Sequence, residues 1–211
     1  MPNGSNTYGS SLLPVQTLGG FRKRNSAGFS LMEISLVVAI GLIVTTVALP
    51  NFVTVLATAR LHGNITSLSG VLQNCRMTAV KQNRIMTTRF TVVSNGIVAY
   101  VKPASDSSGI SPRDPQVGLE DPINQLTAPS GPDAPPAIST TIFGFTPQTG
   151  NPSFNTRGLP CAYSGGSCSN QGFVYYFKDT RQGGSNGWAA VSISPAGRIK
   201  KWFWNGSVWG D

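Results

Sequence analysis

The sequence contains a single histidine, His62, and this scarcity limits the chemistry that the chain can perform. Neither a metal site built from several histidines nor a catalytic triad that depends on one is easy to assemble from it. No nucleophile elbow and no phosphate-cradling glycine loop leads into a predicted helix. The acidic residues are scattered through predicted loops. We therefore expect a protein that is not an enzyme and that binds no cofactor and no metal ion.

Charged residues are also few, at 11% of the chain, which is low for a soluble globular protein. Glycine (24 residues) and proline (15 residues) are abundant, and this mixture favours strands, turns and long loops over a helical bundle. The net charge is +8 at pH 7. A positive balance of this size is compatible with nucleic acid or an anionic surface as a partner, and it demonstrates neither.

One long stretch carries no charge at all, because no charged residue occurs from Ile34 to Ala59. About 20 apolar residues suffice to cross a bilayer as a helix, so we predict a membrane-spanning helix here. The basic cluster "RKR" at 22–24 lies on its N-terminal side, and the positive-inside rule then leaves the N-terminus in the cytoplasm. A secretory signal peptide, with a basic region before an apolar one, is the alternative interpretation.

The start of this stretch reads "GFSLME", residues 28–33, and it resembles the prepilin cleavage motif of type IV pilins and type II secretion pseudopilins. The resemblance implies that residues 1–28 are a leader and that a prepilin peptidase cuts between Gly28 and Phe29. Phe29 would then be methylated, and Glu33 would become the fifth mature residue. The implied localisation is the bacterial inner membrane, single-pass, with a periplasmic head, followed by incorporation into a pilus or pseudopilus.

A carboxylate at the depth of Glu33 costs roughly 3 kcal/mol in a bilayer, so it normally has a partner or a role. The resemblance implies that Glu33 pairs with the α-amine of a neighbouring subunit's first residue and sets the register of assembly. Pairing with Phe29 of the same chain is the alternative, since residues i and i+4 share one helix face. Pro50 removes a helix hydrogen bond, so we predict a kink there, where many pilins also have proline.

Beyond Pro50 the apolar residues recur at steps of three and four, which predicts an amphipathic helix that ends near Asn83. We assign residues 29–83 to this N-terminal helix. The residues of its apolar stripe are Leu61, Ile65, Leu68, Val71, Leu72, Cys75, Ala79 and Val80. His62 stands one residue off the stripe and is expected to be solvated.

Residues 84–211 are predicted to form a β-rich globular domain. Two β-rich runs flank Asn95-Gly96, which is a strong hairpin signal. The segment 103–136 is rich in proline, glycine and aspartate and is predicted to be a long inserted loop. Further strands are expected at 137–145, 172–178, 188–194 and 198–204. The predicted fold class is α+β and pilin-like, with a long N-terminal membrane-spanning helix packed on an antiparallel β-sheet head.

Two stretches of this domain, "SFNTRGLP" at 153–160 and "VSISPAGRIKKW" at 191–202, resemble the GspH/FimT group of minor pilins and pseudopilins. The resemblance implies a structural subunit of a type II secretion pseudopilus or a type IV pilus, with a role in protein secretion or filament assembly. Its implied partners are prepilin peptidase, other (pseudo)pilins and the inner membrane. The second stretch also fits a tight hairpin whose charged edge strand prevents aggregation, and an anchored domain that never polymerises remains open.

Cys161 and Cys168 lie close together in a loop of glycine and serine residues. Once translocated they would face an oxidising compartment, so we predict a disulfide between them. A metal site with two cysteine ligands is the alternative, although no further ligands are evident nearby.

The last predicted strand suggests a second function. Alternate residues of a strand share a face, so Arg198, Lys200, Trp202 and Trp204 are expected to lie together. Basic side chains meet phosphates, and exposed indoles stack on bases. Some members of the resembling family bind DNA during uptake through basic residues near this hairpin, where this chain has Lys200-Lys201. The alternative function is a DNA-binding minor pilin for natural transformation that uses Arg198, Lys200, Lys201 and Trp202; burial of the tryptophans in the core is the competing interpretation.

Overall fold

The computed structural model describes residues 29–94, 96–120, 123–126, 128–181 and 186–210, except for the side chains of 47–51 and 120–124. The chain divides into two units, residues 1–45 and residues 46–211. In the first unit the described residues begin at Phe29 and are helical from Leu31 on. The second unit contains the remainder of that helix and all of the described β-strands.

Helix α1 (Leu31–Gln82) is preceded by Ser30 and followed by Asn83. The carbonyl oxygen of Ser30 accepts hydrogen bonds from the backbone N–H groups of Glu33 and Ile34. Asn83 has a φ of 50°, a left-handed conformation that asparagine tolerates and that ends a helix. The predicted end near Asn83 is therefore confirmed. Position 50 is helical, but its side chain is not described, so the kink at Pro50 stays a prediction.

The predicted membrane-spanning helix is wrong, and so is the single-pass inner-membrane localisation that depends on it. No helix among the described residues combines the length and the apolar character that crossing a bilayer requires.

The elements after α1 are almost all antiparallel strands. In chain order they are β1 (Met86–Val93), β2 (Gly96–Pro103), β3 (Gln116–Glu120), β4 (Ile123–Leu126), helix α2 (Thr140–Phe143), β5 (Pro147–Gln148), β6 (Ser153–Phe154), β7 (Pro160–Ser164), β8 (Ser167–Asn170), β9 (Gly172–Asp179), β10 (Trp188–Ile193), β11 (Ile199–Trp204) and β12 (Trp209–Gly210). The first sheet has the order β3-β2-β1-β6-β7-β8. The second has the order β12-β11-β10-β9-β4, and β5 pairs with β9 in parallel.

Several local predictions are confirmed. Strands β1 and β2 form the expected hairpin, with Val93 opposite Gly96, although Asn95 itself lies outside the described residues. The runs predicted as strands at 172–178, 188–194 and 198–204 correspond to β9, β10 and β11. Pro195 and Ala196 form the turn that joins the last two strands.

The predicted α+β fold class is wrong, because the described residues of the head form two six-stranded sheets and no described helix is long and apolar enough to cross a membrane. The segment 103–136, expected to be a loop, contains β3 and β4. Strand β3 pairs with β2 in the first sheet, whereas β4 pairs with β9 in the second, so this segment contributes one strand to each sheet. Their backbone pairing outweighs the loop-like composition of the segment.

The strand predicted at 137–145 is also wrong, because this segment contains the single-turn helix α2. The Oγ of Ser139 accepts a hydrogen bond from the backbone N–H of Thr141, which caps the start of the turn. Gly144, at a φ of 72°, closes its end in the left-handed conformation that glycine adopts without strain. These two capping residues outweigh the β-branched residues between them.

The main core lies between α1 and both sheets. From the predicted apolar stripe of α1, Leu61, Ile65, Leu68, Leu72, Cys75 and Ala79 are buried. They pack against residues of both sheets, including Phe154, Phe173 and Val191. Burial of each large aliphatic side chain contributes about 1.5–3 kcal/mol. Desolvation raises the pKa of the Cys75 thiol to about 12, so this cysteine acts as a small apolar residue.

A second, smaller core covers the other face of the second sheet. It consists of Ile138, Val174, Tyr176, Ala190 and Trp202, with Leu126, Phe143 and Trp209 at its margin. Strands β9 and β10 are consequently buried on both faces, which explains why neither shows the polar and apolar alternation of a half-exposed strand.

Candidate functional site

The described part of the first unit is an apolar helix whose side chains are exposed on every side. Phe29 is 76% exposed and Leu31 is 87% exposed, and the same holds for the large apolar residues that follow them up to Val44. A helix that is apolar all round is normally buried, and exposed apolar surface of this extent marks an interaction site. This segment is the first candidate functional surface.

Glu33 lies in the first turn of α1, and its side chain is exposed. The positive end of the helix dipole favours a carboxylate at this position. Within the described residues Glu33 forms no ion pair. Gly28, on the other side of the predicted cleavage point, lies outside the described residues.

Sequence reasoning missed a structural role near Glu33. The Oγ of Ser30 accepts a hydrogen bond from the backbone N–H of Met32 at 3.4 Å. Ser30 and Glu33 have the S-x-x-E spacing of a capping box, in which the serine satisfies a free N–H group at the helix start. The spacing was visible in the sequence, so helix capping is a second role to test for Glu33 beside its predicted role in assembly.

The residues predicted to contact DNA do not share one surface. Lys200 lies over the ring of Trp202, with its Nζ 3.9 Å from the ring centroid. The Nζ of Lys201 lies 3.4 Å from the Oγ1 of Thr66 on α1 and therefore belongs to the opposite face of β11. Next to it, Phe203 stacks on His62 with ring centroids 3.6 Å apart.

Trp202 is buried, and its ring belongs to the second core. Its Nε1 donates a hydrogen bond to the Oγ of Ser192 at 2.8 Å, and Phe143 of α2 meets the ring edge-on at 5.9 Å. A ring enclosed in this way offers no free face on which a base could stack. Only Arg198, in the turn before β11, keeps an exposed side chain among the four predicted DNA-binding residues.

His62 is exposed as predicted, but it is not isolated. Partial burial and the nearby charge of Lys201 lower the pKa of its imidazole below the ordinary value of 6.5. His62 is therefore neutral at pH 7 and serves as a flat ring against Phe203.

A residue that sequence reasoning did not single out, Arg76, joins the two motifs that carry the family resemblance. Its Nη1 donates a hydrogen bond to the carbonyl oxygen of Gly197, in the second motif, at 3.0 Å. Gly158, in the first motif, comes close to the same arginine. A Cβ atom at Gly158 would lie 3.2 Å from the Cγ of Arg76 and 3.1 Å from the Cγ2 of Val80. The two motifs therefore converge on one side of α1.

Both glycines are needed for this approach. Gly158 has a φ of +74° and Gly197 a φ of +81°, which lie in the left-handed region that disfavours side chains. A Cβ at Gly197 would lie 3.3 Å from both the Cζ of Arg76 and the carbonyl oxygen of Gly158. The glycines in the "RG" and "GR" pairs thus have a packing explanation that does not depend on any ligand.

Beside this junction lies an open groove of about 520 Å³. One wall is the face of α1 beside its buried stripe. The other wall is the turn before β11 together with Ile199, the first residue of that strand. The groove is lined by Gln73, Arg76, Met77, Val80, Lys81, Gly197, Arg198 and Ile199. Three of these residues are cationic and none is acidic, while Met77 and Val80 are 64% and 52% exposed. We call this surface the cationic groove.

The structure also joins Cys161 to Cys168 by a disulfide. The bond closes the β7–β8 hairpin, in which Tyr163 is opposite Cys168, and Cys161 is buried. Among the described residues, no group of three or more His, Cys, Asp or Glu side chains is arranged to hold a metal ion.

Comparison of the chain with protein-family models, with curated proteins and with solved structures finds no match.

Proposed function

We propose that this chain is a minor pilin or pseudopilin, a structural subunit of a type II secretion pseudopilus or a type IV pilus. The observation that carries the proposal is the exposed apolar segment at the start of α1, which follows the "GFSLME" motif. An apolar helix that the described residues of its own chain leave exposed gains free energy when it packs against the helices of other subunits. The second half of the same helix is anchored in the head by its buried stripe.

In this proposal prepilin peptidase cuts between Gly28 and Phe29, and other (pseudo)pilins are the partners. Glu33 then supplies the charge that fixes the register of one subunit against the next. Its unpaired state in the described residues is compatible with a partner in a neighbouring subunit. A carboxylate that must leave water needs such a counter-charge, because burying it alone is costly.

The test compares Glu33→Ala with the wild type in cells that express prepilin peptidase. We expect the variant to be cut at Phe29 and methylated, as intact mass shows, but to be largely lost from sheared filaments. Ser35→Ala is the matched control, because Ser35 is a polar, exposed residue on the same turn of the helix. Normal filaments with Glu33→Ala would refute the register role, and an uncut wild-type chain would refute the pilin proposal.

A second variant distinguishes helix capping by Glu33 from a role of its charge in assembly. Glu33→Gln retains a side chain that completes the S-x-x-E or S-x-x-Q capping pattern but removes the charge. If charge sets the register, Glu33→Gln fails to assemble as Glu33→Ala does. Assembly of Glu33→Gln at the wild-type level would assign Glu33 to capping alone.

DNA binding in natural transformation is the weaker proposal. Its four residues are divided between two faces of β11 and the turn before it, and Trp202 is enclosed. The exposed side chain of Arg198 supports it, since a basic residue at a turn can reach a phosphate. A DNA duplex is therefore included as a probe in the experiment that follows.

A further inference from the structure

The cationic groove has the composition of a surface that receives a helix. Its α1 wall consists of residues 73, 76, 77, 80 and 81, which are spaced as one face of a helix. Met77 and Val80 form an exposed apolar centre, and Arg76 and Lys81 flank it. A stripe with this spacing is the kind of ridge against which a second helix packs.

The charges of the groove have no acidic partners within the described part of the chain. Lys81 and Arg198 form no ion pair there, and no acidic residue lines the groove. The carboxylates of Asp106 and Asp114 are paired with Lys102, and that of Asp179 with Arg181. The groove therefore presents cations that are available to a partner.

A second copy of this chain is a poor partner for the groove. The sequence contains no acidic residue between Glu33 and Asp106, so the charged residues of α1 after its first turn, Arg60, Arg76 and Lys81, are all basic. Packing this face against itself would bring cations together, and such like-charge contacts reduce affinity. The complementary surface is an amphipathic helix whose apolar stripe is flanked by aspartate or glutamate.

We infer that the cationic groove binds an acidic amphipathic helix of a different protein. The apolar centre provides the buried contact, and Lys81 and Arg198 select the acidic flank. Arg76 positions the groove, because its hydrogen bond to Gly197 holds the turn against α1. The inference stands apart from filament assembly, since binding at the groove does not require Glu33 or cleavage at Phe29.

The test measures binding of the purified full chain to two synthetic helical peptides by fluorescence anisotropy. Both peptides carry the same leucine stripe, and it is flanked by glutamate in one and by lysine in the other. We expect the glutamate peptide to bind the wild type at least about tenfold more tightly than the lysine peptide. The double variant Lys81→Glu/Arg198→Glu should reverse this preference.

The matched control is Arg60→Glu/Arg113→Glu, which makes the same change in net charge at exposed positions that do not line the groove. We expect it to retain the preference for the glutamate peptide. Equal urea midpoints for the two double variants exclude unfolding as the cause of any loss. Equal effects of the two double variants would overturn the inference, because binding would then follow net charge alone.

Two further outcomes would also overturn it. A short DNA duplex that binds the wild type and is lost with Lys81→Glu/Arg198→Glu, while neither peptide binds, would assign the groove to nucleic acid. Sedimentation that shows self-association of the wild type, abolished by the same variant, would assign it to a second copy. A failure of the peptide experiment leaves the filament test with Glu33→Ala unaffected.

Discussion

At the scale of single residues, Trp202 and Trp204 lie on the same strand but differ in whether the indole N–H group has a hydrogen-bond partner. The Nε1 of Trp202 is hydrogen-bonded to Ser192 at 2.8 Å. The Nε1 of Trp204 is buried and has no hydrogen-bond partner among the described residues. A buried donor without an acceptor costs free energy, whereas a satisfied one is costly only to remove.

We therefore expect Trp202→Phe to lower the free energy of unfolding by about 1–3 kcal/mol more than Trp204→Phe does. The first substitution leaves the buried hydroxyl of Ser192 without its partner, and the second removes an N–H group that has none. Urea denaturation of both variants measures the difference. An equal loss in the two variants would show that ring volume, rather than the hydrogen bond, decides the stability.

The sequence predicted part of this arrangement. Strand alternation correctly places Lys200 and Trp202 on one face. It could not indicate that α2 covers that face, because the covering Phe143 lies far away in the sequence and its segment had a strand-like composition. Arg76 was missed for a related reason, since nothing local distinguishes an arginine that contacts two distant turns from a solvated one.

At the scale of elements, a buried lysine holds the loop after β2. Lys102 is 5% exposed, and its Nζ lies 3.3 Å from the Oδ2 of Asp106 and 3.6 Å from that of Asp114. Hydrogen bonds from the side chain and backbone of Ser108, together with the smaller effect of Lys102, lower the pKa of Asp106 to about 2. The loop is therefore ordered by its acidic residues.

The stability that Asp106 contributes should depend on pH. Its folded-state pKa of about 2 lies below its ordinary value of 3.8, so the contribution is complete above pH 4 and is lost as the pH falls through 2. Asp106→Asn should be less stable than the wild type at pH 6, and the difference should shrink between pH 4 and pH 2. Thermal unfolding across this range measures it, and a difference that stays constant would contradict the prediction.

The turn at Gly158 offers a second prediction for an element. Gly158→Ala should lower the free energy of unfolding by more than Gly144→Ala, because both glycines have nearly the same φ but only Gly158 faces Arg76 and Val80. The shared left-handed conformation costs about 1–2 kcal/mol in each variant. Urea denaturation isolates the packing term as the excess in Gly158→Ala. Equal losses would show that the turn can move away from α1.

At the scale of the whole molecule, local patterns predicted elements better than their arrangement. Hydrophobic spacing predicted the buried stripe of α1 and its end near Asn83, and Asn95-Gly96 predicted the first hairpin. The division of the strands into two sheets was not foreseen, and neither was β4, a short strand in a proline-rich segment that acquires its identity from pairing with the distant β9. Such long-range pairing leaves little trace in a short window of sequence.

At this scale the described charged side chains include a group that forms ion pairs within the second unit and the cations of the groove, which form none there. Three carboxylates of the second unit form ion pairs within it, Asp106 and Asp114 with Lys102 and Asp179 with Arg181. The cations of the cationic groove, by contrast, are available to a partner protein. The single histidine and the low charge content predicted no catalytic group, and they gave no sign of this division, which depends on how the chain folds.

Strands β3 and β4 follow each other in the chain but pair in different sheets, and this has a consequence for the order in which the chain can fold. A ribosome delivers β4 well before β9, and β9 supplies the backbone partners of β4. The first hairpin and β3 can pair as soon as they are made, because their contacts are nearer in sequence. During synthesis β4 therefore lacks its partner strand until β9 emerges, and until then its unpaired backbone groups form an edge to which another chain could pair.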